Sequence, residues 1–359
     1  MPFLRVDAYQ GRSNVRALPG SAGWGIGFLR NSKPAAFERN SLSNLRLALR
    51  SLEVMNAMRQ DAKLDYGRTA RGTLRIFRDN SSLDRTRASV QGLVARGLQA
   101  RSLNAAETVE LEPALAPIAS QLAGAIHYTG DETGDARRFC VALAGTCRSA
   151  ALRFHFGRDV RSLEVQGGRV KAACTSRETF VADQYVVAAG CESPALVRRL
   201  GIALPINPVK GYSVTFECRP GTRSLLIPVV DDALHAAVVP LDGVIRVAGT
   251  AELAGSDLTI DPRRIRSLLT LLRRILPQHD TVLDLATARP WCGLRPVSSD
   301  GVPIIGRTAI PNLFLNTGQG HLGWTLAAAS AEMLSAVILG AHSIIDPAPY
   351  SFARFGASP

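Results

Sequence analysis

The residues best suited to chemistry fall between Arg289 and Trp324, in RPWCGLRPVSSDGVPIIGRTAIPNLFLNTGQGHLGW. Arg295 stands between Gly293 and Pro296 in GLRP, ahead of a turn-rich run from Ser299 to Gly306. Downstream, the short apolar run Asn312 to Asn316 enters Gly318-Gln319-Gly320-His321-Leu322-Gly323 and then an Ala-rich helix. A glycine loop that opens a helix can aim unsatisfied backbone N–H groups at an electron-rich ligand, because no side chain holds that ligand away. A second candidate contact is Gln184 to Gly190, QYVVAAG, an apolar run that suits the centre of a sheet. Its last residues, Ala189 and Gly190, would then meet a ligand at the strand's carboxyl end.

Several other signals fail on physical grounds. Gly318, Gly320 and Gly323 have GxGxxG spacing, but no second strand ending in an acid follows, so this is not a pyrophosphate fingerprint. Gly23-Trp24-Gly25-Ile26-Gly27 has no strand before it and no third glycine at the required spacing. His127, His155, His235, His279 and His342 lack triad or metal-ligand company and read as structural. The six cysteines form no CxxC pair, which argues against a zinc site or a dithiol and for reduced thiols in a cytoplasmic protein.

Composition narrows the partners. A chain of 359 residues with 46% hydrophobic and 20% charged residues can bury a substantial core. The net charge of +12 is scattered, and no zinc-finger spacing or aromatic-interleaved basic tract points to nucleic acid. Loose attraction to an anionic membrane surface stays open. The apolar tract Leu322 to Gly340 contains Glu332 and is Ala-rich, which favours a packed interior helix over a membrane span.

These residues need a scaffold, and the periodicities supply one. Leu42, Leu45, Leu49, Leu52 and Met55 recur at helical spacing, giving a pair of amphipathic helices over Pro34 to Met58 or one with a break near Asn40-Ser41. A strand at Gly72 to Phe77, a helix at Asp79 to Gln99 and a short helix ended by Pro113 follow. The loop Gly130 to Asp135 is expected to cap the helix Ala136 to Ser149 through Thr133 or Asp135. Strands are expected at Leu152 to Phe156, Val160 to Val165 and Val170 to Cys174, with a hairpin turn at Gly167-Gly168. From Pro208 the pattern becomes antiparallel, with strands at Ser213 to Cys218, Leu225 to Val230, His235 to Val239 and Val244 to Ala248. An amphipathic helix, Arg263 to Leu276, and a strand, Ala286 to Leu294, lead back to GLRP.

Eight of these pieces, in one chain order, resemble the flavin-dependent D-amino-acid dehydrogenases, within the group that also holds glycine, sarcosine and D-amino-acid oxidases. They are GTLRIFRD, EPALAP, DETGD, ADQYVVAAG, PVKGYS, IRVAGTAE, GLRPVSSDGVPIIGR and NTGQGHLGWT. The resemblance covers residues 24 to 340. It implies a mixed α/β fold, with a Rossmann-like FAD-binding domain and a mixed, largely antiparallel substrate domain roofing the flavin ring. The expected division is an irregular leader at 1–20, the substrate domain at 21–133 and 205–299, the FAD-binding domain at 134–204 and 300–345, and a tail at 346–359.

The resemblance further implies FAD as cofactor, a D-amino acid as substrate, and hydride transfer from its Cα to flavin N5. The product is an imino acid that hydrolyses to a 2-oxo acid and ammonia. Electrons pass to an acceptor other than oxygen, such as a membrane quinone or the respiratory chain, which fits a cytoplasmic protein peripheral to the membrane. Gly318, Gln319, Gly320, His321, Leu322 and Gly323 form the flavin loop, Ala189 and Gly190 join it, and Val160 touches the adenine side. Arg295 anchors the substrate carboxylate, since a guanidinium offers it two parallel hydrogen bonds. Tyr212 either closes over the substrate or packs, and Lys210 either places charge near the flavin or is a solvated loop cation. Relatives begin with a strand, a GxGxxG turn, a helix and a second strand that hold the ADP half, and residues 1–359 show no such unit. The expectation is therefore an FAD-binding domain that is incomplete, its sheet carrying an open edge. Alternatives are a glycine-, sarcosine- or proline-type amine oxidase, and a truncated, non-catalytic or partner-completed chain.

Overall fold

The computed structural model describes residues 18–62, 64–149, 152–222 and 224–356. The leader residues 1–17 lie outside this range. Two helices open it, α1 (Leu18–Asn31) and α2 (Pro34–Ala62). Gly23 to Gly27 therefore sit inside a helix, and α2 runs through Asn40-Ser41 unbroken. Next come β1 (Thr73–Phe77), α3 (Asn80–Val94), β2 (Arg101–Leu103), α4 (Ala105–Leu111), β3 (Gly124–Tyr128) and α5 (Ala136–Ser149). Asp135 caps α5, accepting from the N–H of Arg138 at 2.9 Å.

A small antiparallel sheet follows, β4 (Val160–Gln166), β5 (Arg169–Thr175) and β6 (Thr179–Phe180). Leu152 to Phe156, expected as a strand, is irregular, and its Phe154 and Phe156 stack with ring centroids 5.6 Å apart. Then come β7 (Tyr185–Val187), α6 (Ser193–Arg198), β8 (Ile206–Cys218), β9 (Val229–Asp231), β10 (Ala236–Leu241) and β11 (Val244–Glu252). The chain continues through α7 (Pro262–Ile275), α8 (His279–Val282), β12 (Leu283–Ser298), β13 (Ile304–Arg307), β14 (Leu313–Thr317) and α9 (Gly323–Leu339).

Eight strands form one sheet in the order β12-β8-β11-β10-β9-β1-β3-β2. Its apolar face packs on α7, whose Leu268, Leu271, Leu272 and Ile275 are buried against Tyr212, Val214, Phe216, Ile245 and Val247. The α7 sequence alternates these with Arg263, Arg266, Arg273 and Arg274, so the helix buries a stripe and solvates its cations. A separate sheet, β13-β14-β7, holds β14 parallel to β7. β7 is not central as its apolar sequence implies: β14 is its only strand partner among the described residues, and Val186 is 44% exposed. An apolar strand reads as central whether or not its second neighbour is there.

Two segments pack differently from their expected division. α2 lies against α9, with Arg50 bridging Glu332 and Ser51 Oγ accepting from the N–H of Ala329 at 3.0 Å. Its Leu47 shares a core with Val302, Phe314 and Leu326, so α2 belongs to the α9 side rather than with the large sheet. Residues 346–356 are not a loose tail. Tyr350 and Phe352 are buried, Tyr350 donates to the carbonyl of Ser43 at 2.7 Å, and Arg354 pairs with Asp300. The stretch Gly320–Leu339, which contains α9, is long and apolar enough to cross a membrane; one side of α9 packs on α2, β13 and β14, and 28% of the apolar window is buried, less than the packed interior helix expected.

Candidate active site

The site forms where β12 meets β8 and the glycine loop. β12 and β8 run antiparallel in continuous register from Arg289↔Thr215 to Ser298↔Ile206. Side chains alternate along each strand, and directly opposed residues share a face. Gly293 opposes Gly211, Trp291 opposes Ser213 and Arg295 opposes Val209, so these six lie on one face. Gly211 leaves room for Arg295: a Cβ there would fall 2.3 Å from its Nη2, and the guanidinium would have to move aside. The guanidinium lies flat across that bare backbone.

Arg295 donates from Nη1 to the carbonyl of Thr250 at 3.1 Å, and no carboxylate pairs with it among the described residues. Burial lowers its pKa, and a guanidinium so held stays charged at any working pH. Thr250 has φ 69°, in the left-handed region that β-branched residues avoid, at a break in the β11–β8 register between Gly249 and Glu252. The bulge turns a neutral carbonyl toward Arg295 and leaves the charge uncancelled for an anionic ligand.

The glycine loop stands beside this arginine. Gly318 and Gly320 have φ values of 80° and 58°, which let the chain leave β14 sharply and enter α9. Gln319 bridges to Val297 of β12, clipping the loop to the GLRP strand. A single 3-10 turn, Gly320–Leu322, leads into α9 at Gly323, and no side chain caps either, so this helix end turns its positive dipole end toward the loop's ligand side. His321 presents surface to solvent inside this concavity. The protein around it and the charge of Arg295 push its pKa down to about 4, so it is neutral at pH 7. Gly190 joins the site: its carbonyl accepts from Thr317 Oγ1 at 3.1 Å, and it faces Pro296.

A cavity of about 290 Å³ opens beside the loop, lined by Phe28, Phe37, Asn44, Ser299, Gly318 and His321 among others. Asn44 donates to the carbonyl of Gly301 at 2.9 Å, and its buried Oδ1 has no hydrogen-bond partner among the described residues. A buried acceptor left without a donor carries a desolvation cost that a bound N–H or O–H relieves.

Arg295, Ala189-Gly190 and the Gly318–Gly323 loop are thus brought together, and three expected residues are not. Lys210 and Tyr212 alternate with Gly211 and so point to the opposite face, toward α7. Lys210, 1% exposed, donates to the carbonyl of Thr259, ion-pairs with Asp257 and lies over the Tyr212 ring. Tyr212 donates to Glu252 at 2.9 Å. Both tie β8 to the far side of the Thr250 bulge rather than facing a substrate. Val160 begins β4 in the small antiparallel sheet, paired with Thr175 and away from the loop. Thr250 and Trp291 were missed. The WxGxR alternation held a signal for Trp291, whereas nothing in the residue type announces a threonine at positive φ.

Residues 16–337 match the family described as FAD dependent oxidoreductase. The chain belongs to this family. A D-amino acid dehydrogenase of Cereibacter sphaeroides is 39% identical over 353 residues, spanning 98% of this chain and 78% of that one. One from Paramagnetospirillum magneticum is 37% identical over 332 residues, 92% of this chain and 78% of that one. In fold, the chain is similar to glycine oxidase from Geobacillus kaustophilus, with TM-score 0.78, 24% identity and coverage of 86% and 82%. L-proline dehydrogenase from P. horikoshii gives TM-score 0.77 at 20% identity, covering 88% and 84%. The residues present fit the ring end of FAD. The uncapped helix end at Gly320–Gly323 and the left-handed turns at Gly318 and Gly320 offer backbone N–H groups to a flavin ring's carbonyls.

Proposed function

We infer that this flavoprotein oxidises D-amino acids to 2-oxo acids and ammonia and passes the electrons to an acceptor other than oxygen. The observation that carries the reading is Arg295, a half-buried guanidinium with only a neutral carbonyl partner among the described residues, next to the glycine loop. The similarity to D-amino acid dehydrogenases supports the substrate class and the acceptor class.

Arg295 binds the amino acid's carboxylate, and the Thr250 carbonyl and the bare backbone of Gly211 fix the plane of its fork. The backbone N–H groups of Gly318–Gly323, at the start of α9, would hold the flavin ring. Bound there, the flavin would supply the acceptor for the hydride that leaves Cα. As that C–H bond breaks, the amine nitrogen forms a double bond to Cα and its proton goes to water. Water then adds to the imino acid and releases ammonia. His321, neutral at pH 7, adds no second positive charge beside Arg295. A membrane quinone is the acceptor we favour, supported by the chain's net charge of +12 toward an anionic bilayer.

The test is an anaerobic assay with D-alanine and an artificial dye, following dye reduction, ammonia and 2-oxo acid together. We expect equal amounts of the three from D-alanine and none from L-alanine. Turnover of L-alanine alone, or hydrogen peroxide formed at the same rate in air, rejects the reading.

A further inference from the structure

Two glycines face one another across the β8–β12 ladder, Gly211 and Gly293. Each is overlain by a side chain from its own sheet face. A Cβ on Gly211 would fall 2.3 Å from Arg295 Nη2, and one on Gly293 would fall 2.2 Å from Trp291 Cη2. Directly opposed positions on an antiparallel pair lie about 4.5–5.5 Å apart at Cβ. The guanidinium and the indole therefore lie side by side on a floor of two bare backbones. Trp291 is 62% exposed, although its aromatic surface is large and its immediate neighbour is the uncancelled charge of Arg295. The indole is thus the large apolar surface on the same sheet face as the guanidinium.

We propose that Trp291 is the wall that receives the substrate's side chain, and that the site takes amino acids whose side chains are apolar or aromatic. The proposal rests on the reading of Arg295 as carboxylate anchor. An acidic side chain meets the electron-rich face of the indole, which repels it. A small side chain leaves the indole uncovered and gains nothing from it. An apolar side chain buries against it and loses water from both surfaces.

The experiment measures binding rather than turnover. Propionate and 3-phenylpropionate carry the carboxylate and side chain of alanine and phenylalanine without the amine. Each is titrated by calorimetry into the FAD-saturated chain, wild type and as Trp291→Ala, Trp291→Phe and Arg295→Ala, with thermal melts as the check on folding. Wild type should bind 3-phenylpropionate roughly tenfold or more tightly than propionate. Trp291→Ala should abolish that preference while leaving propionate unchanged, and Trp291→Phe should keep most of it. A preference that survives in Trp291→Ala, or an equal loss for both ligands, overturns the proposal and leaves the anchor intact. Binding that survives in Arg295→Ala, or no binding of either ligand to wild type, removes the anchor reading and the proposal with it.

Discussion

Arg295 is half-buried, held by one hydrogen bond to a neutral carbonyl, and faces no opposite charge among the described residues. Removing it should weaken carboxylate binding by about 2–5 kcal/mol, because the ligand's charge is then left unpaired in the site. Arg295→Ala should accordingly raise KM for D-alanine steeply, and Arg295→Lys should recover only part, having one point charge in place of a fork. Gly211→Ala tests the floor. The atoms it meets are the mobile tip of Arg295, so the variant should keep a near-native Tm while its KM rises almost as in Arg295→Ala. His321 gives a pH signature. Its pKa is about 4 when folded, below the ordinary histidine value of 6.5, so between those values the unfolded chain binds a proton that the folded chain refuses. Stability should therefore fall as pH drops from 6.5 to 4, and His321→Gln should flatten that slope in urea melts at stepped pH. At this scale the sequence was informative about type and silent about side. Arg295 was legible because GLRP isolates it, whereas Tyr212 stayed open between substrate and packing and Lys210 between flavin and solvent, and the structure turns both toward α7. The alternation Tyr212, Val214, Phe216, all buried toward α7, held the missing clue.

At the scale of elements, the motifs outside the site turn out to be joints. Glu112, in EPALAP, is fully buried and accepts from the N–H groups of Leu226 at 2.7 Å, Ile227 at 2.9 Å and Ala114 at 3.2 Å. It fastens the Pro113–Gln121 turn to the loop ahead of β9. Glu112→Ala strands three donors and should cost on the order of 3 kcal/mol in a urea melt, with Glu112→Gln recovering part. In DETGD, Glu132 pairs with Arg59 of α2 and with Arg68, and Asp135 caps α5. Tyr66, Phe139 and Trp324 then meet edge to face, with centroids 5.2–5.8 Å apart, locking α5 to the start of α9. Helices were legible where an apolar stripe repeats, as in α2 and α7. Their partners were not, because the Leu47 face of α2 carries no mark that says α9 rather than the large sheet.

At the scale of the whole molecule, the large sheet and α7 form a rigid floor, and α9 with β13, β14 and β7 forms the opposing body. The site lies on the seam, where β12 ends and the glycine loop begins. That placement explains why residues from β11, β12, β7 and the loop converge although they are far apart in sequence. The antiparallel sheet was legible strand by strand from its alternation, but its order, with β1 parallel to β9, depends on pairings between distant segments. The central claim is that this seam holds a flavin that takes electrons from a D-amino acid. The most direct test is to saturate the purified chain with FAD, remove free cofactor and oxygen, and record the visible flavin absorption as D-alanine is added. The account predicts a yellow protein that bleaches with D-alanine, keeps its colour with L-alanine, and regains it when an oxidised dye is supplied. A protein that holds no flavin, or one that stays yellow with every D-amino acid tried, contradicts it.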